Sequence, residues 1–445
     1  MCTSNSFLHL KGRFDMPFRT TWGILTLLTM AFLLSPNAAL AQDGLDSGDT
    51  AWLLISTGLV LFMMIPGLAM FYAGLVRTRN VLSIFMHCFG LTALITIIWT
   101  VCGYSLAFAN NNPFIGDLSK AFLSGVTGET LSGSIPELLF FVFQMTFAII
   151  TPGLFVGAFA ERMKFSAIMW FSGMWCLLVY LPITHMVWGQ GGYFSAMGVF
   201  DFAGGIVVHI TAGSAALVAA ILVGKRQGYP KHPMPPHNMT MNLIGTAMLW
   251  VGWFGFNGGS ALAANGQAAM AVVVTQISPS VAALTWIAIE WFKNGKPSAL
   301  GFATGAIAGL AAITPASGWV GPVGAMVIGF VSSIVAYWAA TWLKRTAGYD
   351  DALDVVGVHG FGGLVGTLMV AFFASSTLGG TEEGLDMGKQ FGTQAFAAIT
   401  TALYTLFVSL ILLKIIDAVI GLRVAEDVEM GGLDLGEHGE VGYDL

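Results

Sequence analysis

Apolar residues come in long blocks along this chain, and polar residues collect between them. After residue 50, eleven blocks are long enough to cross the roughly 30 Å of a bilayer's hydrocarbon. They run over 51–76, 81–109, 137–160, 166–187, 202–224, 241–263, 268–291, 299–316, 322–343, 355–378 and 392–417. The short segments of alternating polarity that a transmembrane barrel requires are absent. In lipid every backbone N–H and C=O must be satisfied within its own segment, so the blocks predict helices. The pattern predicts an all-α polytopic membrane protein with eleven transmembrane helices.

Composition strengthens this reading. Hydrophobic residues make up 56% of the 445, charged residues only 9%, and mean hydropathy is +0.77. A soluble domain carries about 25% charge, so this chain cannot solvate a globular surface of its size. The net charge is -6 and no basic cluster is present, which excludes a nucleic-acid surface. Cys88, Cys102 and Cys176 lie in apolar runs and Cys2 stands apart, so no disulfide is expected, nor any zinc-type Cys/His spacing.

The loops add orientation. Of the 18 Lys and Arg, Lys11, Arg13 and Arg19 precede the apolar stretch WGILTLLTMAFLL, which is followed by SPNAALAQ with Ala39-x-Ala41 as a cleavage site. That is the layout of a secretory leader, so residues 1–41 are expected to be a signal peptide. Lys120 and Lys389 fall on one set of loops, and the remaining 13 all fall on the other set and the tail. Basic residues mark the cytoplasmic side, and the alternation never breaks. The protein is expected in the plasma (inner) membrane as a multi-pass protein. Its N-terminus lies outside after leader cleavage and its C-terminus is cytoplasmic. Three parts follow: the leader 1–41, a transmembrane domain 42–418 and a cytoplasmic tail 419–445. Asn238-Met-Thr240 matches a glycosylation sequon, but it falls on a cytoplasmic loop.

Two short stretches then carry the chemistry. DFAGGIVVHI at 201–210 and DVVGVHGFGG at 354–363 each begin with Asp and set one His among small apolar residues. They open the fifth and the tenth helix. Eleven helices divide as five, five and one, and an odd number per unit turns the second unit over. The two stretches then occupy equivalent places in a 5+5 inverted repeat, whose interface near the midplane is where such folds bind substrate. Ionisable groups inside a membrane are costly and mark function, which singles out His209 and His359. Depth groups the aromatics as well. Phe143 and Phe147 share a face of the third helix, and Phe256 and Ser260 share a face of the sixth. With Trp188 at the outer end of the fourth helix, an outer tier of Phe143, Trp188 and Ser260 stands above an inner tier of Phe147 and Phe256. Such a box suits a small cation by cation–π attraction and one hydrogen bond. From spacing alone, ordinary aromatic packing is the commoner explanation.

These segments, with IPGLAMFYAGLVRTRNVLS, GAFAERMKFSA, PITHMVWGQGG, GWFGFNGGSA, DDALDVVGVHG and GLRVAEDVEMGGLDLGEHGE, are similar to the ammonium transporter family, which includes methylammonium permeases and Rhesus proteins. The likeness spans about residues 50–440, with Ala73 standing where the family pattern FYGGL has Gly. The resemblance implies the ammonium-transporter fold and transport of ammonium, ammonia and methylammonium through a hydrophobic pore. Phe143, Trp188 and Ser260 match the family's external substrate site, and Phe147 and Phe256 its stacked gate. His209 and His359 match its paired pore histidines, and Asp201 and Trp253 match structural residues near the site. It further implies a homotrimer, surrounding lipid, and a PII-type nitrogen regulatory protein at the cytoplasmic mouth. It implies no enzyme activity, cofactor or metal.

Three other readings compete. An ammonium sensor would signal through the tail, and a dedicated one usually carries an added signalling domain. A Rhesus-type neutral gas channel is disfavoured by Trp188. An intramembrane metalloenzyme built on the two His lacks HExxH and a third ligand. One difficulty stands within the main reading. Counted at 1.5 Å per residue, His209 lies in the outer third and His359 in the inner third. They can meet only if the tenth segment starts deep, or if the DDALD loop at 350–354 is re-entrant.

Overall fold

The computed structural model describes residues 44–110 and 112–444, so the leader expected over 1–41 lies outside the described residues. Among the described residues, nine helices are long and apolar enough to cross a membrane. They are α1 (Ser47–Leu75), α2 (Thr78–Phe108), α3 (Glu137–Phe159), α4 (Phe165–Ala196), α5 (Gly205–Val223), α7 (Gly266–Asn294), α9 (Pro322–Ala347), α10 (Val356–Phe373) and α11 (Met387–Ile420). Two more, α6 (Met239–Gly259) and α8 (Ala299–Ile313), stand where the sequence places its sixth and eighth spans. They are the less conspicuous ones for separate reasons: α6 mixes Asn, Thr, Trp and Gly into its apolar run, and α8 has only 15 residues. The mouths are named outer and inner after the charge bias of the loops.

Side-chain caps explain where several helices begin. Asp46 accepts from Asp49 N, Asn238 from Met241 N, Asn265 from Gln267 N and Ala268 N, Ser298 from Gly301 N, and Asp386 from Lys389 N. Each supplies an acceptor to first-turn N–H groups that have no partner within the helix. Caps at Asp46 and Asp386 start α1 and α11 about four residues before their apolar runs, a signal that hydropathy does not carry.

α3 is the axis of the bundle. Of its most apolar window 89% is buried inside the protein, against 28% for α11, which lies at the rim of the bundle. α5 and α10 cross beside the axis at Gly213 and Gly360. A Cβ on residue 213 would lie 2.2 Å from Gly360 Cα, so only glycine allows this approach.

The repeat is visible in backbone detail. α5 and α10 both open with wide π-type turns, over Gly205–Ile210 and Val356–Phe361. Gly204 and Asp354, 150 residues apart, both adopt positive φ, at 112° and 62°. Asp201 Oδ2 accepts from Ile206 N at 2.9 Å, and Asp351 Oδ2 accepts from Val356 N at 2.8 Å. The counterpart of Asp201 is therefore Asp351 and not Asp354, the residue that opens the second quoted stretch. The carboxylate must sit eight residues before the His, and only Asp351 does.

At the inner face, charged loops interlock. Glu161 accepts from Arg77 N (2.7 Å), Arg77 Nε (2.9 Å), Asn80 Nδ2 (2.9 Å) and Arg226 Nη1 (3.0 Å). Arg226 also donates in a fork to Asp350, with Nε and Nη2 each at 2.9 Å. Burial alone would raise both carboxyls, but the guanidinium of Arg226 outweighs it and holds Glu161 and Asp350 below the ordinary carboxylate range. The tail docks on this layer through two short helices, α12 (Glu426–Gly431) and α13 (Leu433–His438). Glu429 accepts from Gln227 N at 2.7 Å, and Asp434 accepts from Ser83 N at 2.7 Å.

Candidate functional site

His209 and His359 meet. Their Nδ1 atoms are 3.2 Å apart, the rings are tilted by 20°, and both residues are buried. Two Nδ1 atoms at this distance need one donor and one acceptor, so the pair is neutral with opposite tautomers or shares a single added proton. His209 Nε2 has no hydrogen-bond partner among the described residues.

The depth difficulty resolves through the loops. Ala352 N and Leu353 N donate to Ala158 O (3.2 Å) and Gly157 O (3.1 Å), at the last turn of α3. The DDALD loop is thus irregular backbone satisfied by protein, and it lines a cavity of about 680 Å³ that runs from the inner loops up to His359. That is the condition under which re-entrant chain is tolerated at membrane depth. The outer loop mirrors it: Asp201 and Phe202 line the cavity above α5.

The aromatics stack above the imidazoles. Phe147 and Phe256 lie ring over ring at 4.2 Å, and Trp188 stands edge-on to Phe147 at 5.9 Å. Beneath them a chamber of about 10 Å³ separates Phe256 from the His pair, near the lower limit for one water molecule. Its other walls are Met, Leu, Ile and Val side chains, with Trp253 and Phe71. Trp253 stacks on His209 at 5.6 Å and donates from Nε1 to Thr314 Oγ1 at 2.8 Å, which fixes its plane. Thr314 gave no signal in the sequence, because its role appears only when α8 packs on α6.

An outer cavity of about 340 Å³ lies over the Phe pair and is lined by Trp188, Ser260, Asp201 and Phe147. Ser260 donates its hydroxyl proton to Phe256 O at 2.8 Å, which leaves the oxygen lone pairs as acceptors. Trp188 is aimed by its Nε1–H, which donates to Asp201 O at 2.8 Å. Both Asp201 carboxylate oxygens are committed to the first turn of α5, accepting from Gly204, Gly205, Ile206 and Val207 N at 2.5–3.1 Å. Asp201 thus caps a helix N-terminus and is not itself open to a ligand.

Phe143 stands apart. It is wholly buried, edge-on to Phe147 at 5.0 Å, and is not among the residues that line the outer cavity. The wall instead takes Phe140, Gln144 and Phe147, with Phe108, Phe202 and Trp319 completing it. Sequence reasoning paired Phe143 with Phe147 by a spacing of four. Spacings of three and seven, which pick out Gln144 and Phe140, fit one helix face equally well.

The chain is similar to known proteins along most of its length. The sequence pattern of the Ammonium Transporter Family matches residues 51–443. An ammonium transporter of Aquifex aeolicus is 43% identical over 421 residues, covering 93% of this chain and 97% of its own. The ammonium transporter Amt1 of Archaeoglobus fulgidus is 45% identical over 403 residues, covering 90% and 100%. The crystal structure of Candida albicans Mep2 superposes with a TM-score of 0.80 at 34% identity, covering 86% and 87%. On these grounds the chain belongs to the ammonium transporter family, a multi-pass membrane protein that carries ammonium rather than an enzyme.

Proposed function

We propose that the outer cavity recruits ammonium, that Phe147 and Phe256 close the way to water, and that ammonia and its proton cross separately by way of His209 and His359. The observation that carries this reading is the imidazole pair 3.2 Å apart below a closed aromatic stack. Moving a bare ammonium ion into a medium of low dielectric costs tens of kcal/mol in the Born limit. Releasing its proton at neutral pH costs about 3 kcal/mol, because ammonium titrates roughly two units above pH 7. A dry pore therefore selects the neutral species. Trp188 faces the cation with its π-surface and Ser260 accepts one N–H. Neutral imidazoles offer a donor and an acceptor, so a proton can pass along them. Potassium has no proton to give up and stays outside. Methylammonium shares the acidic N–H and enters by the same route.

The remaining expectations belong to this reading. Eleven helices span the plasma (inner) membrane, with residues 42–418 as the transporting domain, the N-terminus outside after removal of a leader over 1–41, and residues 419–445 in the cytoplasm. The interlocked tail is where a PII-type regulator acts, and three copies assemble within lipid with one pore each. The test is current through liposomes holding purified protein. Wild type is expected to reject potassium and His209→Asp to admit it, because the carboxylate brings water and fixed charge into the chamber. A His209→Asp variant that still rejects potassium overturns the account. So does a His209→Leu, His359→Leu double variant that still carries ammonium current.

A further inference from the structure

The outer cavity has more polar chemistry than the recruitment step above uses. Its polar side chains can be taken in turn. The two oxygens of Asp201 are filled by four backbone N–H groups. The indole N–H of Trp188 is given to Asp201 O and accepts nothing. Ser260 keeps its lone pairs. The remaining acceptor belongs to Gln144, which lines the same cavity, is 9% exposed, and has an Oε1 with no hydrogen-bond partner among the described residues. A buried amide oxygen without a donor is costly and is seldom left so without a reason. Gln144 also lies on the face of α3 that carries Phe140 and Phe147, so its amide stands among π-surfaces and close to the Phe147–Phe256 stack. That oxygen is itself closed off from solvent, and a half-turn about the last side-chain bond brings it to the place of the amide nitrogen without moving the rest of the side chain.

An ammonium ion has four N–H groups. Aromatic faces satisfy some of them through their quadrupoles, and each acceptor takes one outright. We propose that Gln144 is a second hydrogen-bond acceptor of the outer cavity, working with Ser260 to bind ammonium and primary alkylammonium ions. This deepens the recruitment reading and rests on it. Two acceptors also give the cavity a means of discrimination that aromatic rings lack. A quaternary ammonium ion satisfies the rings and offers no N–H, so it leaves both oxygens unpaired.

The experiment measures ammonium-evoked current against concentration on a solid-supported membrane, with purified wild type, Gln144→Leu, Gln144→Glu and Trp188→Leu. Loss of one hydrogen bond to a cation predicts that Gln144→Leu raises the half-saturating ammonium concentration roughly tenfold, more than it changes the maximal current. Gln144→Glu, which keeps the acceptor and adds charge, is expected to lower that concentration. A merely structural role would make both variants worse together, and that result overturns the proposal. An unchanged half-saturating concentration in Gln144→Leu overturns it as well. Trp188→Leu separates the two levels. If it weakens binding while Gln144→Leu does not, only the role of Gln144 fails. If neither variant weakens binding, recruitment in the outer cavity fails with it.

Discussion

The meeting of the two imidazoles depends on a contact that contains no side chain. At the crossing of α5 and α10, a Cβ added at residue 213 would lie 2.2 Å from Gly360 Cα and 2.5 Å from Gly360 N. Ordinary carbon contacts begin near 3.4 Å, so Gly213→Ala must part the helices by about 1.2 Å. His209 stands one turn before Gly213, and His359 is the neighbour of Gly360, so little chain is available to absorb the movement. An Nδ1–Nδ1 distance of 3.2 Å would open to about 4.4 Å, past the range of a hydrogen bond. Overpacking of this size costs roughly 1–3 kcal/mol, which a bundle of this size can bear. Gly213→Ala is therefore expected to insert and assemble, to melt a few degrees lower, and to lose most of its ammonium current. Gly392→Ala on α11, where a Cβ meets nothing within 4 Å, is the matched control. Solid-supported membrane current, normalised to inserted protein, decides the matter. A Gly213→Ala variant with wild-type current would refute the claim that this contact sets the histidine pair.

Two further outcomes follow from the inner face. Glu161 and Asp350 are held below the ordinary carboxylate range, so their stabilising effect is complete above that range and is lost as pH falls through it. Thermal melts of detergent-solubilised protein should begin to drop at about pH 5 and go on dropping below the ordinary carboxylate range, with Asp350→Asn flattening the drop; equal acid sensitivity in that variant would refute the assignment. Deleting residues 424–445 removes the Glu429 and Asp434 contacts. It is expected to lower transport or abolish regulator binding while the helices still insert, and unchanged uptake together with unchanged PII pull-down would count against a regulatory tail.

Hydropathy alone located the helices, because a segment in lipid has few ways to satisfy its backbone. The inverted repeat was legible from the parity of the helix count and from two Asp…His stretches. Depth was not legible. Residue counting places His209 and His359 apart, and only the bonds from Ala352 and Leu353 to the end of α3 show how the second stretch begins inside the protein. The same gap hid Asp351, which matches Asp201 by its distance to the His while Asp354 matched only by opening a similar string. Gln144 was missed because it is polar within an aromatic run, and a search for cation–π surfaces passes over it. Thr314 meets Trp253 and Phe140 meets Phe108, each on another helix, which local sequence does not record.

The two halves share a capping carboxylate, Asp201 and Asp351, and differ at the residue at positive φ. In the first half this is Gly204, and Gly204 N and Gly205 N both turn onto Asp201 Oδ1. The negative charge beneath the outer cavity is then spent on a helix N-terminus, where it is stabilised. It contributes to the field in the cavity without an open lone pair that would trap an arriving cation. In the second half the position is Asp354, a residue type that tolerates the left-handed region. Asp354 pairs with Lys344, which also donates to Asp351 O at 3.3 Å. The inner cavity therefore has a further carboxylate, that of Asp354, answered by a cation, while Asp351 keeps the backbone-capping role of Asp201. The likeness in fold thus carries an asymmetry in charge: a Lys344–Asp354 pair stands at the inner cavity, and a glycine takes the place of that second carboxylate at the outer one.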